Sequence, residues 1–269
     1  MNMHPFNPFR RVVGGGGVSD PDAQNYITRV ETADAMSLES GVKDAMNQLF
    51  LTMNATGIRT PISAGRGILL AGPRTLAGIL EPLFPASAPT STGFLSADYD
   101  RKTGLLGASG KRIDFPDLTG GPSINDHAMA AWLSSLGTAG TNRAVMTSGP
   151  TSGTTSLLKS ATAGNFVFRS ANTTASNNTT INEATVGFYG LSRNNSSNIT
   201  TRISGTTAAP TVSSTAFNPE QCRLFQRSDG IQPFTGRMKF ACFTRSLDLA
   251  DLETALATYF AAINAATLS

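Results

Sequence analysis

The feature that most constrains the fold is a change of hydrophobic period near the C-terminus. Within residues 235–246, Met238, Phe240 and Cys242 alternate with Arg237, Lys239 and Ala241, the period of two that belongs to a strand with one buried face. From Leu249 the period lengthens. Leu249, Leu252, Leu256, Tyr259, Phe260 and Ile263 recur every three or four residues, which predicts an amphipathic helix over 248–265, with Ser246 or Asp248 as its cap. Upstream, Cys222 and Leu224 alternate with Arg223 and Phe225, and the turn-rich stretch 228–234 separates the two runs. A hairpin is expected. On it Cys222 and Cys242 fall on the apolar face. A turn centred near Gln232 would make them cross-strand neighbours and a disulfide geometrically open, whereas a reducing cytosol predicts two buried free thiols.

Such a strand needs a sheet, and the chain supplies one in short runs punctuated by turn residues. Strands are read near 105–106, 111–114, 126–134, 143–147, 154–159, 165–170, 184–193, 198–204, 221–226 and 237–244. Ten strands at this spacing predict two packed antiparallel sheets. Phe166 and Phe168, Val186 and Phe188, and Met238 and Phe240 stand at i and i+2, as inward faces require. Trp132, the single tryptophan, is assigned to the core. Charged residues make up only 14% of the 269 residues, and Gly, Ser, Thr and Asn are abundant, a mixture that suits turn-rich β structure.

The N-terminal third reads differently. Residues 1–19 carry Phe6, Phe9, Arg10 and Arg11 ahead of four consecutive glycines, Gly14 to Gly17. This is read as a flexible tether whose four named side chains dock on a neighbouring subunit, or as a tail without structure. Asp20 and Pro21 are a helix start. Tyr26, Ile27 and Val30 define one short helix; Leu38, Val42, Met46, Leu49, Phe50 and Met53 define a second, stopped by Gly57. Ile68 to Leu70 reads as a short buried strand or turn, and Arg74 to Leu80 as one or two helical turns. The stretch 85–93 reads as a linker. The expected organisation is a tether over 1–19, a helical anchor over 20–90 and a sandwich with its C-terminal helix over 91–269.

The run Phe234 to Phe243 followed by Ser246 to Glu253 resembles the end of laminin-G-like and concanavalin A-like lectin domains. The runs Asp98 to Gly107, Lys111 to Asp114 and Asp126 to Trp132, with the N-terminal part from Asp20 to Gly78, are similar to lectin-like structural proteins of tailed bacteriophages. The resemblance implies a mainly β, two-sheet antiparallel jelly-roll sandwich, concanavalin A-like, with an N-terminal helical extension and a C-terminal helix. It implies a non-enzymatic virion structural protein, associated with the tail or tail fibres and contacting the host surface, or else a capsid decoration protein. Its partners would be other virion proteins through the N-terminal region and further copies of the chain, a trimer being the guess. Assembly would occur in the host cytoplasm. A reading from another class is a carbohydrate-binding module, or an inactive glucanase-like domain, recognising surface polysaccharide.

Chemical motifs are sparse. Glucanases on such sandwiches need two close carboxylates, and the acids between 94 and 244 form no alternating pair inside a strong strand. Only His4 and His127 are available to a triad, and no Gly-x-Ser-x-Gly elbow presents a serine. No catalytic, cofactor or metal residue is assigned. Asp98 and Asp100 are the nearest approach to a calcium site and are read instead as a turn. Tyr189, Arg193, Asn194 and Asn195, at one strand end, are the candidate glycan contacts. Net charge is +3 without a basic block, so no nucleic acid is expected, and no apolar run is long enough for membrane insertion.

Overall fold

The computed structural model describes residues 17–116, 118, 120–138, 142–149, 155–160, 165–172, 177–180, 185–218, 222–227 and 229–269. In chain order these form helices α1 (Pro21–Asp34), α2 (Ser40–Thr56) and α3 (Arg59–Ser63) and strands β1 (Arg66–Leu69), β2 (Thr90–Thr92), β3 (Tyr99–Asp100), β4 (Gly104–Leu106) and β5 (Arg112–Phe115). Then come β6 (His127–Ser135), β7 (Arg143–Ser148), β8 (Thr155–Lys159), β9 (Asn165–Arg169), β10 (Asn177–Thr180) and β11 (Gly187–Arg193). The chain closes with β12 (Thr200–Ile203), β13 (Thr206–Ala208), β14 (Cys222–Leu224), β15 (Arg237–Thr244) and α4 (Leu249–Ala265). All strand pairs are antiparallel. One sheet runs β13-β12-β11-β6-β15-β4-β3, with β1 also on β15; the other runs β10-β9-β8-β7-β14-β5-β2. The protein is therefore mainly β, a two-sheet antiparallel sandwich with helices before and after it.

A third layer lies on the first sheet. Met129, Ala131 and Leu133 of β6, Tyr189 and Leu191 of β11, and Met238, Ala241 and Phe243 of β15 join the apolar cluster between the sheets. Their neighbours Ala130, Phe188, Phe240 and Cys242 face the other way and share a second cluster with α1, α2 and α4. Trp132 is wedged on that side, 5.2 Å from the Phe260 ring and 6.3 Å from Phe188. Close approach of α4 depends on Gly190, where an added Cβ would stand 2.8 Å from Leu249 Cδ2.

The N-terminal helices form for the reasons their sequence gives. Asp20 caps α1 by accepting from the amides of Asp22 and Ala23, and Gly57 ends α2 in the left-handed region at φ 79°. Their stripes lie in the same apolar cluster as α4. β1 lies alongside β15, with Arg66 opposite Phe243 and Leu69 opposite Phe240. The expected linker at 85–93 includes β2, an edge strand paired with β5.

Three further expectations change. Residues 222–224 and 237–244 do not form a hairpin: β14 lies between β7 and β5 in one sheet, while β15 lies in the other. Cys222 and Cys242 are the two buried free thiols that a reducing cytosol predicts, and without the hairpin they lie in different clusters. Met238 and Phe240 do not share a face, because the ladder with β6 slips between them, Met238 opposing Leu133 and Phe240 opposing Trp132, a β-bulge that spends one residue and reverses the side-chain order. Val186 precedes β11 and is half exposed, and Phe188 faces the helices rather than the space between the sheets.

Because the helical layer and the sandwich share Phe240, the two should unfold together. Loss of helical circular dichroism and the change in Trp132 fluorescence are expected to coincide in a denaturant titration. Phe240→Ala should lower stability by about 3–5 kcal/mol in the same experiment.

Candidate functional site

The passage from β15 to α4 carries the chain from the sheet to the third layer and leaves backbone amides that need acceptors. Asp126, just before β6, supplies one: its Oδ1 accepts from the Ser246 amide at 2.8 Å and from the Ser246 hydroxyl at 2.7 Å. Its Oδ2 accepts from Arg245 Nε at 2.6 Å. Burial raises the Asp126 pKa, but the bonds from Ser246 and Arg245 outweigh that and hold the carboxyl below its ordinary value. Ser192 Oγ accepts from the Leu247 amide at 3.1 Å. Asp248 then caps α4 through the amides of Ala250 and Asp251.

Two clefts open along this crossing. One, of about 420 Å³, is lined by Ser192, Asn194, Thr200, Thr207 and residues 246–250. The other, of about 410 Å³, is lined by Thr60, Pro61, Asn125, Asp126, Asn194, Arg245 and Ser246. Asn194 and Ser246 line both, so the two adjoin as one groove on the rim of the first sheet, rich in hydroxyl and amide groups.

The structure divides the candidate glycan contacts. Asn194 lines the groove and is exposed. Asn195 holds the adjoining turn, its Oδ1 accepting from the amides of Ser197 and Asn198. Tyr189 is fully buried between the sheets, stacked on Phe166 at 4.2 Å with its hydroxyl donating to the Thr185 carbonyl. Burial pushes its phenol pKa up. It offers no ring to a sugar, because on β11 odd positions point inward. Arg193 is also fully buried. Its guanidinium donates to Ser170 Oγ, the Ser170 carbonyl, the Val212 carbonyl and the Asn195 carbonyl, pinning the groove wall from beneath. Phe6, Phe9, Arg10 and Arg11 lie outside the described residues. Asp126, Thr200, Thr207, Arg245 and Ser246 were not expected at a site, since spacing along the chain does not foretell a contact made across 120 residues.

Beneath the groove, His127 Nε2 lies 2.8 Å from Ser170 Oγ, and Nδ1 lies 2.8 Å from the Ser123 carbonyl. Nδ1 must donate to that carbonyl, so the neutral ring accepts the Ser170 proton at Nε2. This is the length of a nucleophile and base pair, but both residues are fully buried and the second nitrogen meets a backbone oxygen rather than a carboxylate. Asp98 accepts from the Leu95 amide and pairs with Lys111, and Asp100 closes a turn on Lys102 and Thr103. Among the described residues no three His, Cys, Asp or Glu side chains are placed to share a metal ion, and no helix is long and apolar enough to cross a membrane.

Fold and groove together define a two-sheet antiparallel β-sandwich with a polar cleft on its rim. No protein-family model matches the chain, and no curated protein matches it. Among solved structures it is similar to the binding domain of botulinum neurotoxin DC in complex with rat synaptotagmin II, at 11% identity over 57% of this chain and 42% of that one, TM-score 0.42. It is similar to domain 4 of AbnA, a GH43 extracellular arabinanase from Geobacillus stearothermophilus in complex with arabinotriose, at 13% identity over 64% and 82%, TM-score 0.45. A third is the botulinum neurotoxin serotype D binding domain, at 12% over 73% and 52%, TM-score 0.46. The chain thus matches about half or less of the neurotoxin domains' length.

Burial lowers the His127 pKa to about 4, helped by the charge of Arg193 and opposed by the Ser123 bond. An unfolded histidine titrates near 6.5, so between these values the unfolded chain holds the extra proton and stability rises with pH. Stability should fall by about 3 kcal/mol as pH drops from 6.5 to 4, and His127→Gln should flatten that slope in urea titrations across the window. Tyr189→Phe, which removes only the bond to Thr185, should cost about 1 kcal/mol and leave any ligand binding unchanged.

Proposed function

We propose that the chain is a non-enzymatic, lectin-like binding module that holds a saccharide in the rim groove. Two adjoining clefts of a size suited to small ligands, lined by hydroxyls, amides and one exposed ion pair, carry the reading. Such groups match the donor and acceptor pattern of sugar hydroxyls, and Asn194 stands where the two clefts meet. The burial of Ser170 and His127 supports a binding role over a hydrolytic one. The module's place is on a tailed-phage virion, at the tail or its fibres, where the segment 1–19 joins it to other virion proteins. This placement rests on the sequence resemblance alone.

The purified chain is expected to bind bacterial surface polysaccharide on a glycan array, and Asn194→Ala should weaken binding about fivefold or more, the loss of one or two neutral hydrogen bonds. Failure to bind any polysaccharide at millimolar sugar would end the binding reading. For the placement, mass spectrometry of purified particles should find the chain, and its presence in infected lysate but never in virions would refute it.

A further inference from the structure

The groove is asymmetric in charge, and we infer that it takes an acidic oligosaccharide spanning both clefts, with a sugar carboxylate on Arg245 and a neutral neighbouring unit against Thr200 and Thr207. This deepens the saccharide reading above and rests on it. Arg245 is the exposed cation of the groove, with 53% of its side chain open to solvent. It reaches Asp126 through Nε. Among the described residues nothing accepts from its two Nη groups, so a planar fork of donors is left on the lining of the second cleft, tethered at Nε by the Asp126 carboxylate. That fork fits a carboxylate held by two parallel bonds.

Asp126 does not compete for the fork. Both its oxygens are engaged, Oδ1 by Ser246 and Oδ2 by Arg245, and a sugar carboxylate would complete a bridge with the guanidinium between two acids. The first cleft has the opposite preference. Its one ionisable liner is Asp248, whose charge stabilises the start of α4 and repels a second acid. Around it stand the hydroxyls of Ser192, Thr200 and Thr207 and the flank of Leu249, groups that suit a neutral ring. Since Asn194 and Ser246 line both clefts, adjacent units of one chain are the occupants that fill them together. A sugar polymer alternating uronate and neutral units has this pattern.

The test is binding of the full chain at physiological salt to hyaluronan and heparosan, which alternate such units, to dextran as a neutral chain and to dextran sulfate as a plain polyanion. Hyaluronan or heparosan should bind, carboxyl-reduced hyaluronan should not, and Arg245→Gln should weaken binding about tenfold or more, the loss of a charge-assisted pair. The Arg245 pair is exposed, so this variant keeps its fold. A hyaluronan tetrasaccharide should bind more tightly than glucuronic acid alone. Dextran binding as tightly as hyaluronan, or Arg245→Gln binding like the parent, would overturn the acidic site while leaving the saccharide reading in place. Equal binding of dextran sulfate would reduce it to general polyanion attraction. Equal affinity for the tetrasaccharide and the single sugar would overturn the two-unit groove. Binding to no polysaccharide removes this inference together with the reading beneath it.

Discussion

A sheet whose central strands have no wet face governs this molecule. Antiparallel sheets commonly keep one side in water, yet β6, β11 and β15 carry apolar residues on both sides, one set against the second sheet and the other against α1, α2 and α4. Two amphipathic helices ahead of the sandwich and one behind it cannot bury their stripes alone, and the outer face of the first sheet cannot stay dry without them. Each requirement answers the other. Small residues make the fit possible: Ala130 and Cys242 face the helices where larger side chains would hold the layer away, and Gly190 lets Leu249 settle against the strand.

The groove is a product of that layering. Moving from β15 into α4 means leaving the sheet at its rim, where the ladder stops supplying partners to the backbone. Asp126 and Ser192 provide them, the first just ahead of β6 and the second in β11, its neighbour in the same sheet. The residues that finish the crossing are polar because unpaired amides there would be costly, and the same polar residues become the lining of the clefts. The crossing and the clefts thus draw on one set of side chains, with Ser246 serving in both.

Much of the scaffold was legible along the chain. The period change at Leu249, the Asp20 cap and the Gly57 stop are local signals, and the local chemistry acted as read. Phe166 and Phe168 do share the inward face as expected, but other expectations about which face meets what failed. Both faces of β15 are apolar, so alternation could not say that Phe240 turns away from Met238, and a one-residue bulge reversed the order without leaving a mark in composition. Turn residues between 224 and 237 looked like a hairpin tip, but they carry the chain from one sheet to the other. Of the four residues singled out at the end of β11, Asn194 lines the groove and Asn195 holds the adjoining turn, whereas Tyr189 and Arg193 are buried beneath it. A tyrosine inside an aromatic stack and a tyrosine offered to a sugar look alike in a sequence.

Arg193 shows why the foundation matters. A buried guanidinium loses its hydration, and here four neutral acceptors, three carbonyls and a hydroxyl, replace it with no carboxylate among them. If stability alone were at stake, an apolar side chain of similar volume would fill the space at least as well. What the arginine adds is geometry, since one rigid fork ties Ser170, Val212 and Asn195 together and so fixes the turn beside Asn194. His127 stays neutral next to it, held by Ser123 and Ser170, which spares the network a second buried charge. On the proposed saccharide reading, a wall fixed in this way would have little ordering left to do, so weak contacts with sugar hydroxyls would not be cancelled by the entropy of arranging their partners.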